Sequence, residues 1–345
     1  MDFTLDDEQE ALRDLAAQIA NDLSNPEKLK EQEAAQEPLD RRLWDQLGAS
    51  GLLGLVIPEE HGGAGRGFLD AALVAVELGR RAARVPFTAH VAAAMAIAAS
   101  DETAAHAALA DLASGARVAT VALAAPDVAV GTDATLSGVV GNVGAGTVAD
   151  LLVIAAGEEL FLVTLAGVGA ERQDTISGIP EARLHLDATP AVRLGGADLV
   201  ARTRDIATAG LCLLGWGICE EAVRLTAEYT KTRRQFDRPI ASFQAVGQRA
   251  ADSYIDTQAV RLTALQAAWR LDAGLPATRE VQIAKFWVAD GGQRVVHAAQ
   301  HLHGGMGVDR DYPLHRYFLQ AKQLELTLGG GTSQLLELGR VLASA

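Results

Sequence analysis

The chain has 345 residues, 49% hydrophobic and 21% charged, the proportions of a globular protein long enough for two or three domains. Its formal net charge of −14 argues against a nucleic-acid binder, which needs a basic patch. No apolar run reaches the ~18 uncharged residues expected of a membrane span, and the acidic, amphipathic start MDFTLDDEQEALRDL is the opposite of a signal peptide. A cytoplasmic protein is therefore expected.

Residues 1–115 read as an all-helical domain. In DDEQEALRDLAAQIANDL, Leu12, Leu15, Ile19 and Leu23 recur at spacings of three and four, an amphipathic stripe. RRLWDQLGASGLLGLVIPEEHGGAGRG reads as a helix stopping near Gly48, an apolar run, and a turn-rich loop over 58–67. Further helices are predicted over 68–83, 88–99 and 102–113. The texture changes over 116–200, where VATVALAA, LLVIAA, LFLVTL and ARLHLD alternate with Gly, Asp and Pro, predicting a small β-barrel or sandwich domain. From 201 to 345 helix returns, over 203–231, 241–273, 277–303, 315–328 and from 333, an antiparallel four-helix bundle. Within it Val281, Val288 and Val295 recur every seven residues, a seam for a neighbouring helix. The predicted class is α+β, ordered helical domain, β domain, helical bundle. Cys212 and Cys219 fall on one face of the first bundle helix, too far apart for a disulfide, and are expected to be small buried thiols.

Several glycine-rich stretches mimic nucleotide loops without their grammar. GGAGRG at 62–67 lacks the Gly-Lys-Ser/Thr ending, and GNVGAG at 141–146 lacks the dinucleotide spacing; both read as turns. No G-x-S-x-G elbow occurs. His301 and His303, two apart on a helix, diverge, and no metal site is predicted. Three segments stand out. In YTKTRRQFDRPIASFQAVGQRAAD (229–252), Lys231, Arg233 and Arg234 either answer a helix dipole or grip an anion. In QHLHGGMGVDRDYPLHRYF (300–318), the Gly304–Gly305 pair either caps a helix or admits a flat ligand. In TLGGGTSQ (327–334), three consecutive glycines call for a sharp turn or a close approach.

Together with WDQLGASGLLGLVIPEEHGGAG near the N-terminus, R-x-Q-F-x-x-P-I-x-x-F-Q-A and HLHGGMGVDRDYPLHR give the chain a resemblance to the acyl-CoA dehydrogenase family over nearly its whole length. The resemblance implies FAD bound between subunits without a Rossmann fold, oxidation of an acyl-CoA to its 2,3-enoyl product, and an electron-transfer flavoprotein as acceptor. It implies that Arg233 meets the FAD pyrophosphate across a subunit interface, that Gln235 and Phe236 pack on the cofactor, and that His301 stands where a glutamine is common. It also implies that Gly304 and Gly305 lie beside the cofactor and that Thr332 and Gln334 touch its ADP end.

The flavin-ring side departs from the family pattern. Ala124, Ala125 and Pro126 replace a polar triplet, and the β domain is short and has no tryptophan. The family's catalytic glutamate falls on Gly330 or Leu328 by two registers and on Ala207 by its alternative location. Asp205 and Glu325 are the nearby acids. The expected identity is a base-lacking short subunit of the actinobacterial, steroid-CoA type of heterotetramer. Such a subunit completes the FAD site of a companion that binds the acyl-CoA. The alternatives are a homomeric dehydrogenase with Asp205 or Glu325 as base, and a scaffold binding neither FAD nor CoA.

Overall fold

The computed structural model describes residues 3–343. Its N-terminal part is helical: α1 (Asp7–Leu23), α2 (Pro26–Ala35), α3 (Arg41–Ala49), α4 (Phe68–Arg80), α5 (Phe87–Ala98), α6 (Thr103–His106) and α7 (Leu109–Ser114). The starts follow local chemistry. Asp6 and Gln9 close a capping box on α1, Asn25 caps α2 ahead of Pro26, and the Asp40 carboxylate accepts the Leu43 N–H at 3.0 Å. On α1 the expected stripe is rotated. Leu15 is 39% exposed, whereas Ala16, Ile19 and Ala20 are buried where the helix crosses α4. Small residues make the contact because they let the two backbones approach.

The strands are β1 (Ala119–Ala122), β2 (Ala129–Val130), β3 (Thr135–Gly144), β4 (Leu151–Ala156), β5 (Glu159–Thr164), β6 (Gly169–Gln173) and β7 (Glu181–Gly195). They follow the order β1-β4-β5-β7-β3-β2, with β6 also on β7; β1 and β4 are parallel and the other pairs antiparallel. β7 passes from one half of the sheet to the other, pairing β3 and β6 early and β5 late. The turn expected at 141–146 belongs partly to β3, which bulges between Val140 and Val143 and turns only at Ala145–Gly146. One face of the sheet joins the helical core through Ala119, Leu151, Val153, Leu160 and Leu162, while Leu152, Ile154, Phe161 and Leu184 fill the β domain's own interior.

The C-terminal part comprises α8 (Ala197–Thr232), the short hairpin β8 (Arg234–Gln235) and β9 (Arg238–Pro239), α9 (Gln244–Asp272), α10 (Thr278–His303), α11 (Leu314–Leu326) and α12 (Gly331–Ala343). α8 touches α4, α5, α9, α10 and α11. It is apolar and long enough by composition to cross a membrane, but it is the buried centre of the bundle. A Cβ on Gly217 would sit 2.1 Å from the Val76 carbonyl oxygen, so α4 and α8 meet backbone to backbone. Val281, Val288 and Val295 are buried along α10 as the seam predicts, and both cysteines are buried and free. Burial pushes each thiol up to about 12.

His90 ties three elements together. Its Nε2–H donates to the Leu112 carbonyl at 3.1 Å, and its Nδ1 accepts the Ala119 N–H at 3.2 Å, with the Trp44 ring edge-on at 4.9 Å. This arrangement needs the neutral ring, and complete burial pulls the pKa down to about 4. Above pH 6.5 the ring is neutral folded or unfolded; below it only the unfolded chain takes the proton. Stability should fall between pH 6.5 and 4, by about 3 kcal/mol in total for this group. Denaturant unfolding across that range should show a shallower slope for His90→Gln. Gly217→Ala should cost about 1–3 kcal/mol by forcing α4 from α8, whereas Gly247→Ala, where a Cβ meets nothing within 4 Å, should not lower the thermal midpoint.

Candidate functional site

At the end of α8 the chain becomes extended at Arg233 and enters a two-residue ladder, Arg234 opposite Pro239 and Gln235 opposite Arg238. Phe236 and Asp237 close it with φ of 52° and 63°, the double left-handed turn that matches strand twist and usually takes Asn or Gly. A left-handed Phe costs ~1–2 kcal/mol, and its ring is 88% exposed. The hairpin's other side chains are engaged locally. Arg234 donates to the Asp237 carbonyl, Gln235 Nε2 donates to the Arg234 carbonyl at 2.8 Å, and the Arg238 guanidinium lies 4.1 Å from the centre of the Phe243 ring. The Arg233 guanidinium is exposed and makes no hydrogen bond or ion pair among the described residues.

The end of α10 comes to the same place. His303 closes the helix, and Gly304 follows with φ 59° and ψ −135°, a conformation strained for any side chain. A Cβ on Gly304 or Gly305 would meet nothing within 4 Å, so a stretch of bare backbone faces outward. The Tyr229 ring stacks on His303 at 4.3 Å, and Arg249 Nη1 donates to His301 Nδ1 at 2.9 Å. Thus Arg233, Gln235, Phe236, His301, Gly304 and Gly305 share one end of the bundle. Free guanidinium, bare glycines and exposed aromatic fit the diphosphate and flat rings of a dinucleotide.

TLGGGTSQ lies elsewhere. Leu328 (φ 57°) and Gly329 (φ 96°) make the turn; the conformation demands glycine only at 329. The Gly329 carbonyl and two from the last turn of α11 converge on Lys285, whose buried Nζ donates to Leu324 at 2.9 Å, Glu325 at 3.1 Å and Gly329 at 2.9 Å. Gln334 is buried, its amide spent on the Leu328 and Gly329 carbonyls, and Thr332 is exposed. A Cβ on Gly331 would lie near Phe286 and Ala289, twelve residues before His301 on α10, or about 18 Å at a helix's rise. Within one chain, Thr332 and Gln334 are therefore not part of the Arg233 cluster.

The acids are also dispersed. Leu328, Gly330 and Ala207 supply no carboxylate. The Glu325 carboxylate pairs with Lys322 at 2.6 Å. Asp205 accepts from Thr278 Oγ1 at 2.7 Å, and burial raises its pKa. Both Asp205 and Thr278 are at the far end of the bundle from Arg233, about 40 Å along α8. On the β domain, Ala124–Ala125–Pro126 present no side-chain donor, and the Leu123 carbonyl is taken by Arg204 at 2.7 Å. All four tryptophans, Trp44, Trp216, Trp269 and Trp287, lie on helices. No group of three or more metal-ligating side chains forms among the described residues.

Two features escaped the sequence reading. Lys285 interrupts the valine seam at a buried position between Val281 and Val288, and a cation on an apolar stripe was the available signal. The Tyr229–His303–Tyr312 cluster had none, because its members are 74 and 9 residues apart. Lys285→Met should lower the unfolding free energy by about 3 kcal/mol, since it strips the donor from three carbonyls; denaturant titration measures it.

Two family models match the chain: the acyl-CoA dehydrogenase N-terminal domain over residues 6–116 and the C-terminal domain over 195–343. Acyl-CoA dehydrogenase FadE27 of Mycobacterium tuberculosis is 40% identical over 99% of both chains. One chain of the ChsE4–ChsE5 complex from the same organism is 39% identical, superposes with a TM-score of 0.94 and is covered fully by this one. A chain of the Tcur3481–Tcur3483 steroid ACAD is 38% identical, also at 0.94, with 99% of each chain covered. The helical domain, mixed sheet and helical bundle are thus this family's fold, and the chain belongs to the acyl-CoA dehydrogenases, FAD-dependent oxidoreductases acting on the CH–CH bond of acyl-CoA thioesters.

Proposed function

We propose that this chain is the base-lacking subunit of a two-component acyl-CoA dehydrogenase and completes the FAD site of a companion subunit. One observation carries the reading: the Arg233 guanidinium, unpartnered among the described residues, and the bare Gly304–Gly305 backbone lie at one end of the bundle, while Leu328, Gly330 and Ala207 supply no carboxylate. Arg233 would grip the FAD diphosphate, Gln235 and Phe236 would lie against the ADP half, and His301 would offer Nε2, since its Nδ1 is held by Arg249. When bound, FAD accepts the hydride lost from the β-carbon of the acyl group. The α-proton would go to a carboxylate of the companion, desolvated so that its pKa nears the working pH.

The relatives named as parts of a ChsE4–ChsE5 complex and of a steroid ACAD support a heterotetramer acting on a steroid side-chain CoA thioester. Re-oxidation would fall to an electron-transfer flavoprotein. A second reading, a self-sufficient enzyme with Asp205 as base, draws on the burial that raises that carboxyl, the direction a general base needs. Glu325 is less suited, being paired with Lys322.

Co-expression with the companion should yield a yellow complex that oxidises acyl-CoA, whereas the chain alone should purify without turnover. A yellow, active homomer would refute the proposal. In the complex, Arg233→Ala should weaken FAD about 10–100-fold, the worth of a charge-assisted contact, and Asp205→Asn should leave turnover unchanged. Loss of turnover with flavin retained in Asp205→Asn would favour the second reading.

A further inference from the structure

We infer that His303 is a positioning residue for the FAD site. Clasped between Tyr229 and Tyr312, it would lock the Gly304–Gly305 backbone to the Arg233 hairpin so that one diphosphate meets both. The inference rests on the site reading above.

The hydrogen-bond pattern fixes the ring's state. Nδ1 lies 2.8 Å from the Ala299 carbonyl oxygen, which only accepts, so Nδ1 carries the hydrogen. In the neutral ring Nε2 is then an acceptor, and the Tyr312 hydroxyl, 3.2 Å away, must donate to it. His303 is 2% exposed, and burial holds its pKa below the usual value, which favours the neutral ring. On the other face the Tyr229 ring stacks at 4.3 Å and 23°, and its hydroxyl donates to the His303 backbone carbonyl at 3.3 Å.

That carbonyl belongs to the peptide joining His303 to Gly304. Anchoring it sets the plane from which the glycine backbone departs. Tyr229 also lies one helical turn before Arg233, and its own carbonyl accepts the Arg233 N–H at 2.8 Å. A single side chain therefore touches the last turn of α8, from which the hairpin springs, and the last residue of α10, from which the glycines spring. On the outward side Phe236 is exposed and a Cβ on either glycine would meet nothing, while their own backbone bonds are local, Gly304 N–H to the His301 carbonyl and Ile240 N–H to the Arg233 carbonyl. The rings beneath join the two segments directly. The polar character of the cluster has no use in simple space-filling, which a leucine or phenylalanine would do without three hydrogen bonds to satisfy.

The test is FAD affinity in the complex with the companion subunit, followed by quenching of flavin fluorescence. Tyr312→Phe removes only the hydroxyl that orients His303, and Tyr229→Phe only the donor to its carbonyl; each keeps the ring. Each should weaken FAD about tenfold while thermal midpoint and subunit stoichiometry hold. Combined with Arg233→Ala, Tyr229→Phe should add clearly less than its single effect, because a displaced turn and a missing guanidinium spoil the same contact. Unchanged FAD affinity in both tyrosine variants, with Arg233→Ala still weakening it, overturns the positioning role and leaves the site reading intact. Fully additive losses, or losses that track a lowered thermal midpoint, overturn it in favour of plain structural support. If Arg233→Ala also leaves FAD affinity unchanged, the site reading itself is what fails.

Discussion

The C-terminal half of this protein is organised around a positive charge kept from water. The Lys285 ammonium is 0% exposed, and burial lowers its pKa. A cation so placed is tolerable only if its protons all find acceptors. Three carbonyls provide them, two from the last turn of α11 and one from Gly329. These are groups that a helix end and a tight turn leave without partners, and the positive charge suits the negative end of the α11 dipole. One side chain thereby sets where α11 stops, how the glycine turn folds and where α12 begins.

This arrangement explains why a costly glycine run is retained where no carboxylate stands. Gly329 is required by its backbone angle and by the close approach of its carbonyl to Lys285. Leu328, beside it, is itself held left-handed and packs against the core. The turn is a structural joint first. Whether such a turn bears a base depends on a side chain at 328 or 330, and here those positions are apolar or empty.

The long helices then decide what a single chain can assemble. α8 and α10 run the length of the bundle and pack closely, so that a Cβ on Gly215 would lie 2.7 Å from Val288 Cγ1. Everything at the Arg233 end is therefore remote from Asp205 and Thr278, and a middle position belongs to Thr332 and Gln334. The exposed end carries cations in a strongly acidic protein, an aromatic pointing into water and glycines with nothing over them. Such a surface has chemistry suited to a diphosphate.

Much of this was legible in the residues. The long helices from 203, 241 and 277 stand where their periodicity put them, the Val281–Val288–Val295 seam is buried, and β4 and β5 were evident as apolar runs. Leu15 misled because an alanine face, which carries little hydrophobic signal, won the contact with α4. β3 and β6, rich in Gly and charge, did not look like strands; their stability comes from pairing with β7, which periodicity cannot register. The order of helical and β parts, the motifs that mark the family and the absence of a carboxylate at three positions were readable along the chain, because these depend on residue type and spacing. Packing had to supply the rest, that Gln334 serves its own turn, that Thr332 sits apart from Arg233 and that His303 joins the ends of α8 and α10, because those facts depend on side chains far apart in sequence being brought within hydrogen-bond reach.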